Sequence, residues 1–70
     1  MQYAIYVERY ESGLLKKGWA KKGSLGLTQN VEHMKFVDIN GLNTAVSEVV
    51  KHEFSELKEI KVQKVEINVG

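Results

Sequence analysis

One segment of this chain repeats apolar residues at helical spacing. It predicts one long helix, against which the other elements must pack. The apolar positions are Leu42, Val46, Val49, Val50, Phe54 and Leu57. Their recurrence predicts a helix through about Lys58. Asp38 or Asn40 precedes the segment, and either side chain can cap its first turn. Polar residues such as Glu48 and Lys51 occupy the opposite side, so the helix is expected to bury one face only.

The N-terminal segment has the pattern of a β-strand. Residues 2–7 are rich in aromatic and β-branched side chains. Their alternation places Tyr3, Ile5 and Val7 on one face and Ala4 and Tyr6 on the other. Both faces are partly apolar, which indicates an inner strand, or an outer strand whose second face meets a partner.

A second strand is predicted directly after a turn. Residues 11–13, Glu-Ser-Gly, are typical turn residues, and Leu14–Ala20 can return as a strand. Glycines at positions 18, 23 and 26 weaken this pattern, because glycine inside a strand often marks a bulge or bend. We therefore expect an irregular, twisted ribbon here and a mobile loop over residues 21–26.

The middle of the chain has two interpretations. Thr28, Gln29 and Asn30 can cap a short turn over residues 31–35, followed by an extended segment at Phe36 and Val37. The alternative is one strand through residues 31–37.

The C-terminal stretch alternates like a strand, but its apolar phase changes. The residues concerned are Ile60 and Val62 in one phase, and Val65, Ile67 and Val69 in the other. A one-residue slip moves side chains to the opposite face of a sheet. We therefore predict a β-bulge near Gln63 and Lys64 that keeps both halves pointed at the same core.

These elements predict one domain, residues 1–70, with an α+β fold. A small antiparallel or mixed sheet of three to four strands would carry one amphipathic helix packed on one face. A chain of 70 residues has only a thin core. The second face of the sheet would stay uncovered, and a semi-apolar uncovered face usually marks an interface.

We therefore interpret the protein as a small, non-enzymatic binding module that acts through protein contacts. The expected interface residues are Tyr3, Tyr6 and Trp19, together with positions of the C-terminal strand. Without disulfides or metals to stabilise it, so small a chain commonly gains burial by self-association. The expected partners are a second copy, in a homodimer, and an unidentified protein.

A basic and aromatic stretch supports an alternative, nucleic-acid binding. Its residues are Lys16, Lys17, Trp19, Lys21 and Lys22, and residues 14–23 contain no acidic side chain. Lysines can neutralise phosphates, and tryptophan offers a stacking surface for unpaired bases. The overall formal charge of +1 is far from that of a dedicated nucleic-acid binder. A structural interpretation is that the lysines protect an edge strand while Trp19 fills a small core.

Catalytic, metal and cofactor sites are not predicted. The chain has two histidines, one aspartate and no cysteine, a poor set for a zinc site. Glu48, His52 and Glu56 share a helical stripe, but such stripes are usually solvated surfaces. No nucleophile elbow or phosphate-binding loop is present. No apolar run approaches the roughly 18 residues that span a bilayer, so we expect a cytoplasmic protein without membrane contacts.

Part of the chain resembles very small phage- or prophage-encoded accessory proteins of Gram-positive bacteria. The resemblance covers residues 28–57 and consists of a Thr-x-Asn turn, Met34-x-Phe36, an amphipathic helix and a closing strand. Such proteins often open with a strand like residues 2–7. The lysine-glycine stretch departs from the group. The resemblance implies an accessory role through protein contacts, such as binding or inhibiting a host factor, and it transfers no catalytic residue.

Overall fold

Four antiparallel strands and one α-helix form the described part of the chain, residues 1–51 and 55–65 of a computed structural model. The elements in order are β1 (Gln2–Glu11), β2 (Leu14–Ala20), β3 (Leu27–Thr28), a 3-10 turn (Val31–His33), α1 (Ile39–Val50) and β4 (Ser55–Val65). The strands lie in the order β3-β2-β1-β4, so β1 is central and β4 lies at an edge. The predicted small α+β fold is confirmed.

A two-residue turn joins β1 to β2. Ser12 and Gly13 both have positive φ, 53° and 79°, as type I′ hairpin turns require. The predicted second strand is confirmed with the same bounds, Leu14–Ala20. The expected irregular ribbon is wrong, because the pairing of β1 with β2 runs from Tyr6 to Glu11 without a register shift.

Gly18 does not mark a bulge or bend in β2; it allows β3 to approach β2 closely. A Cβ atom at this position would lie 3.1 Å from the Cβ of Leu27, the carbonyl oxygen of Thr28 and the side-chain nitrogen of Gln29. The Gln29 amide also donates a 2.8 Å hydrogen bond to the Lys17 carbonyl. Glycine is therefore needed here because β3 and the residue after it lie tightly against β2.

The helix begins where the sequence predicts but ends earlier. The Asp38 carboxylate accepts a 2.9 Å hydrogen bond from the Gly41 backbone N–H, so Asp38 is the N-cap. The helix ends at Val50, whereas the spacing predicted about Lys58. Leu57 lies in β4, and Phe54 falls outside the described residues.

The core lies between α1 and one face of the sheet. Its buried apolar residues are Ile5, Val7, Ala20, Ala45 and Val49, with Leu27, Val37, Leu42, Val46, Leu57 and Ile60 partly buried against them. Three of the apolar residues that predicted the helix, Leu42, Val46 and Val49, thus face the core from α1. Val50 does not, since it is 54% exposed.

β4 contains a bulge, but not where the sequence predicted it. Glu59 lies opposite Glu8 and Leu57 lies opposite Arg9, so Lys58 is the extra residue. The pairing past Gln63 and Lys64 is regular, and the bulge predicted there is wrong. The bulge at Lys58 brings Leu57 and Ile60, which are three residues apart, onto the same core-facing side.

The short turn before α1 is confirmed, and the alternative of one continuous strand is wrong. Val31–His33 forms a 3-10 turn, and Asn30 caps it by accepting a 2.9 Å hydrogen bond from the Glu32 N–H. After the turn the chain returns to the sheet. The N–H of Lys35 donates to the Ala20 carbonyl at 2.8 Å, and that of Val37 donates to the Tyr3 carbonyl at 3.0 Å.

The close approach at Gly18 leads to a first prediction. The Gly18→Ala variant should lower the free energy of unfolding by about 1–3 kcal/mol, because the added methyl group forces β3 away from β2. Gly41→Ala is the control, since its Cβ would meet its neighbours at ordinary distances of 3.6 Å or more inside α1. That change should be neutral or stabilise the fold by up to about 1 kcal/mol. Urea unfolding measures both, and equal stabilities would contradict the packing described here.

Candidate protein-binding face

The pairing of the strands divides the sheet into a side that faces α1 and a side that does not. Directly opposite residues in an antiparallel pair share a face. Val7 pairs with Ile60 in the core, whereas Tyr6 pairs with Trp19 on one neighbour and with Lys61 on the other. We call the side away from α1 the open face. On β1 it carries the even-numbered residues, as the alternation of the sequence predicted.

An apolar group lies at one end of the open face. The rings of Tyr6 and Trp19 meet edge to face, with centroids 5.4 Å apart and planes at 69°. Such pairs contribute roughly 0.5–1.5 kcal/mol beyond their buried area. Ala4 is also on this face, yet it is only 1% exposed, so larger side chains shield it. Tyr6 and Trp19 themselves remain partly exposed.

Met34 and Phe36 extend this apolar group. Val37 packs in the core and Lys35 forms a 3.0 Å ion pair with Glu48 of α1, so both point toward the helix. Met34 and Phe36 alternate with these two residues in an extended segment, so they point away from the helix. Both Met34 and Phe36 are partly exposed. We call Tyr6, Trp19, Met34 and Phe36 the aromatic patch.

Charged residues form a band across the open face beside the aromatic patch. The Glu8 carboxylate lies 3.6 Å from the ammonium group of Lys17, and that of Glu59 lies 3.4 Å from Lys61. Glu8 and Glu59 are direct cross-strand neighbours. The pKa of Glu59 is lowered, first by its side-chain hydrogen bond with Glu8 and then by the nearby Lys61 and Lys58. The band is close to electrically balanced.

A smaller apolar pair lies beyond the charged band, at the hairpin end of the open face. Tyr10 of β1 lies directly opposite Leu15 of β2. Their exposed fractions are 39% and 36%. The open face therefore presents two apolar surfaces separated by balanced charges, a composition that suits contact with another protein better than contact with a phosphate backbone.

The predicted interface residues do not all share this face. Tyr6 and Trp19 are in contact within the aromatic patch. Tyr3 pairs with Val37 and lies on the side that faces α1. Its hydroxyl group donates a 3.8 Å hydrogen bond to the sulfur of Met1.

Met34 and Phe36 belong to the open face but were not predicted as interface residues. Their place depends on the return of residues 34–37 to the sheet, a contact between distant parts of the chain. The alternation of Met34 and Phe36 with Lys35 and Val37 is the signal that could have identified them.

The lysines of the alternative nucleic-acid site are spread over different surfaces. Lys17 shares the open face with Trp19 and pairs with Glu8. Lys16 lies opposite Arg9, on the side that faces α1. Lys21 forms an antiparallel bridge with Met34 and so lies beside the aromatic patch, and Lys22 is exposed where the chain leaves β2. The structure thus places two of the four lysines, Lys17 and Lys21, beside this patch, and Lys17 already has an acidic neighbour.

Arg9 is a buried charge on the other side of the sheet. Its side chain is 3% exposed. One terminal nitrogen donates a 2.6 Å hydrogen bond to the Leu25 carbonyl, and Nε donates to the Glu11 carboxylate at 3.0 Å. A cleft of about 360 Å³ lies beside it, lined in part by Glu11, Lys16 and Leu25. Because the guanidinium already bonds Glu11 and Leu25, we assign it to holding residues 24–26 against the hairpin.

Comparison of the chain with protein-family models, with curated proteins and with solved structures gives no match. Within residues 1–51 and 55–65, no three metal-binding side chains cluster in a way that could hold an ion. The longest helix described there, α1, has 12 residues, and no described helix is long and apolar enough to cross a membrane. The site is therefore interpreted from its own geometry.

The bonds of Arg9 lead to a second prediction. Arg9→Met keeps much of the apolar stem but removes the hydrogen bonds to Leu25 and Glu11, so unfolding should become easier by about 1.5–3 kcal/mol. Lys17→Met is the matched control, because the Lys17 side chain is 55% exposed and its 3.6 Å ion pair should contribute no more than about 1 kcal/mol. Thermal melts compare the two. Similar losses would show that Arg9 does not hold the loop.

Proposed function

We propose that this chain is a small, non-enzymatic binding module whose open face contacts another protein. The observation that carries the proposal is the aromatic patch. The rings of Tyr6 and Trp19 are in contact, and Met34 and Phe36 lie partly exposed on the same side of the sheet, opposite α1. Aromatic residues and methionine are enriched in protein interfaces, and they contribute much of the binding energy there.

The charged band adds specificity to this proposal. Glu8, Lys17, Glu59 and Lys61 lie between the two apolar surfaces of the open face and carry both signs of charge. A partner would have to present a complementary arrangement, while the apolar patch supplies most of the affinity.

The proposed partners are a second copy of the chain and an unidentified protein. The resemblance of residues 28–57 to small phage- or prophage-encoded proteins makes a host factor in the cytoplasm the proposed target. Met34 and Phe36, two residues that carry this resemblance, lie in the aromatic patch. That coincidence supports a shared surface for the accessory role.

A third prediction tests the face directly. The wild-type chain, Met34→Gln and Leu14→Gln would each be immobilised and exposed to host-cell extract, after circular dichroism has shown that all three are folded. Met34→Gln places a polar side chain of similar length within the patch. Leu14→Gln is the control, because Leu14 is 64% exposed but lies opposite Glu11, on the other side of the sheet.

The patch variant should lose a stoichiometric partner that the wild type and the control retain. A loss of at least about tenfold in captured partner corresponds to roughly 1.4 kcal/mol of binding free energy. Equal capture by all three proteins, or no stoichiometric partner for the wild type, would contradict the proposal.

A fourth prediction concerns nucleic acid, which stays the alternative function. Binding through Lys16, Lys17, Lys21 and Lys22 would weaken with salt at a logarithmic slope of about −3 to −4 on duplex DNA. Since these lysines lie on different surfaces, we expect weak binding that changes little when all four are replaced by glutamine. Titration of a labelled oligonucleotide at two salt concentrations measures this. A steep salt dependence that the replacement abolishes would favour the alternative.

A further inference from the structure

The outer edge of β4 has no neighbouring strand within the described part of the chain. β4 ends the sheet and has 11 residues, more than any other described strand. The unpaired backbone N–H and C=O groups of an edge strand are a template for another strand. Apolar surface also remains here, because Val62 is 44% exposed beside the partly buried Ile60.

We propose that a second copy of this chain pairs with β4 edge to edge, antiparallel and around a twofold axis at Ile60. The two sheets would join into one, and the open face of each copy would stay accessible. This interface is separate from the aromatic patch. The inference adds the position of a self-contact to the proposed binding function, and it can fail without affecting the role of the open face.

The charges along β4 select this register. With the axis at Ile60, Glu59 of each copy lies opposite Lys61 of the other, which forms two cross-strand pairs of opposite charge. An axis at Lys61 would place two lysines directly opposite each other. An axis at Val62 would pair Lys61 with Gln63 and Glu59 with Val65, so neither charge would face an opposite charge. Lysines on an edge usually discourage pairing, but here each Lys61 faces a glutamate.

The surroundings of Glu59 also favour a cation from outside. On its inner side Glu59 lies opposite Glu8, so its direct neighbour on β1 is acidic rather than basic. Lys61 of the same chain lies 3.4 Å from Glu59. Lys61 of the second copy would approach from the outer side. Each Glu59 would then have two lysine neighbours, one from each copy.

The apolar side of the edge fits the same register. Ile60 of one copy would lie opposite Ile60 of the other, with Val62 as its diagonal neighbour. These contacts would cover the exposed surface of Val62. The bulge at Lys58 limits the regular ladder, because it lies opposite Val62 of the second copy. A short ladder predicts a reversible dimer with a dissociation constant in the micromolar range.

A charge-exchange experiment on the full chain provides the fifth prediction. Sedimentation equilibrium should give wild-type chains the mass of a dimer at tens to hundreds of micromolar, rather than that of the 8.0 kDa chain. Glu59→Lys alone, or Lys61→Glu alone, places like charges opposite each other and should weaken self-association at least about tenfold. An equimolar mixture should dimerise again, because one variant then carries two lysines and the other two glutamates.

Three further variants make the result specific. Lys16→Glu is a charge-matched control on β2 and should leave the dimer unchanged. The chain has no cysteine, so single introduced cysteines report the register. Ile60→Cys should form an interchain disulfide on mild oxidation, and Val62→Cys should not, because its two copies would lie about 14 Å apart along the strands.

Several results would overturn the proposal. A wild-type mass of one chain throughout this range would do so, as would single charge variants that dimerise like the wild type. Crosslinking through Val62→Cys in place of Ile60→Cys would reject the register. A dimer that Met34→Gln disrupts and the charge variants do not would reject the β4 edge, while the proposed function of the open face would stand.

Discussion

The packing of one helix onto one side of β1 is the contact on which this structure depends. Ala45 and Val49 of α1 meet Ile5 and Val7, the largest fully buried side chains among the described residues. A chain of this size can form only a thin core, so few side chains provide most of the apolar burial. Because a single helix covers a single face, the same contact leaves the other side of the sheet open.

β1 therefore has two functions in the fold. Its odd-numbered residues build the core, and its even-numbered residues form the middle of the open face. Two features hold the rest of the sheet around it: the close approach at Gly18 keeps β3 against β2, and Arg9 fixes residues 24–26 through the Leu25 carbonyl. The aromatic patch can remain partly exposed because stability comes from the other side.

The sequence predicted those features that depend on local patterns. The bounds of β2 and the faces of β1 follow from residue types and alternation, and Asp38 is one of the two residues predicted to cap α1. The predicted end of α1 was wrong because Leu57 continues the helical spacing but also fits the alternation of a strand. With Leu57 assigned to the helix, the bulge that aligns it with Ile60 could not be located from the sequence.

The candidate site was predicted only in part, for a related reason. Tyr6 and Trp19 were identified because each lies in a strand with a clear pattern. Met34 and Phe36 join them through hydrogen bonds of residues 35 and 37 to β2 and β1, which no local pattern encodes. The burial of Arg9 likewise depends on a carbonyl 16 residues away.

The sheet side opposite α1 is open to its surroundings, and the fluorescence of Trp19 measures this directly. Trp19 is the only tryptophan, and it lies on the open face. Acrylamide quenching of its fluorescence should proceed in the native protein at a clear fraction of the rate in the urea-unfolded chain, both at a concentration that keeps the chain monomeric. A native quenching rate close to zero would show that the face is covered and would contradict the account.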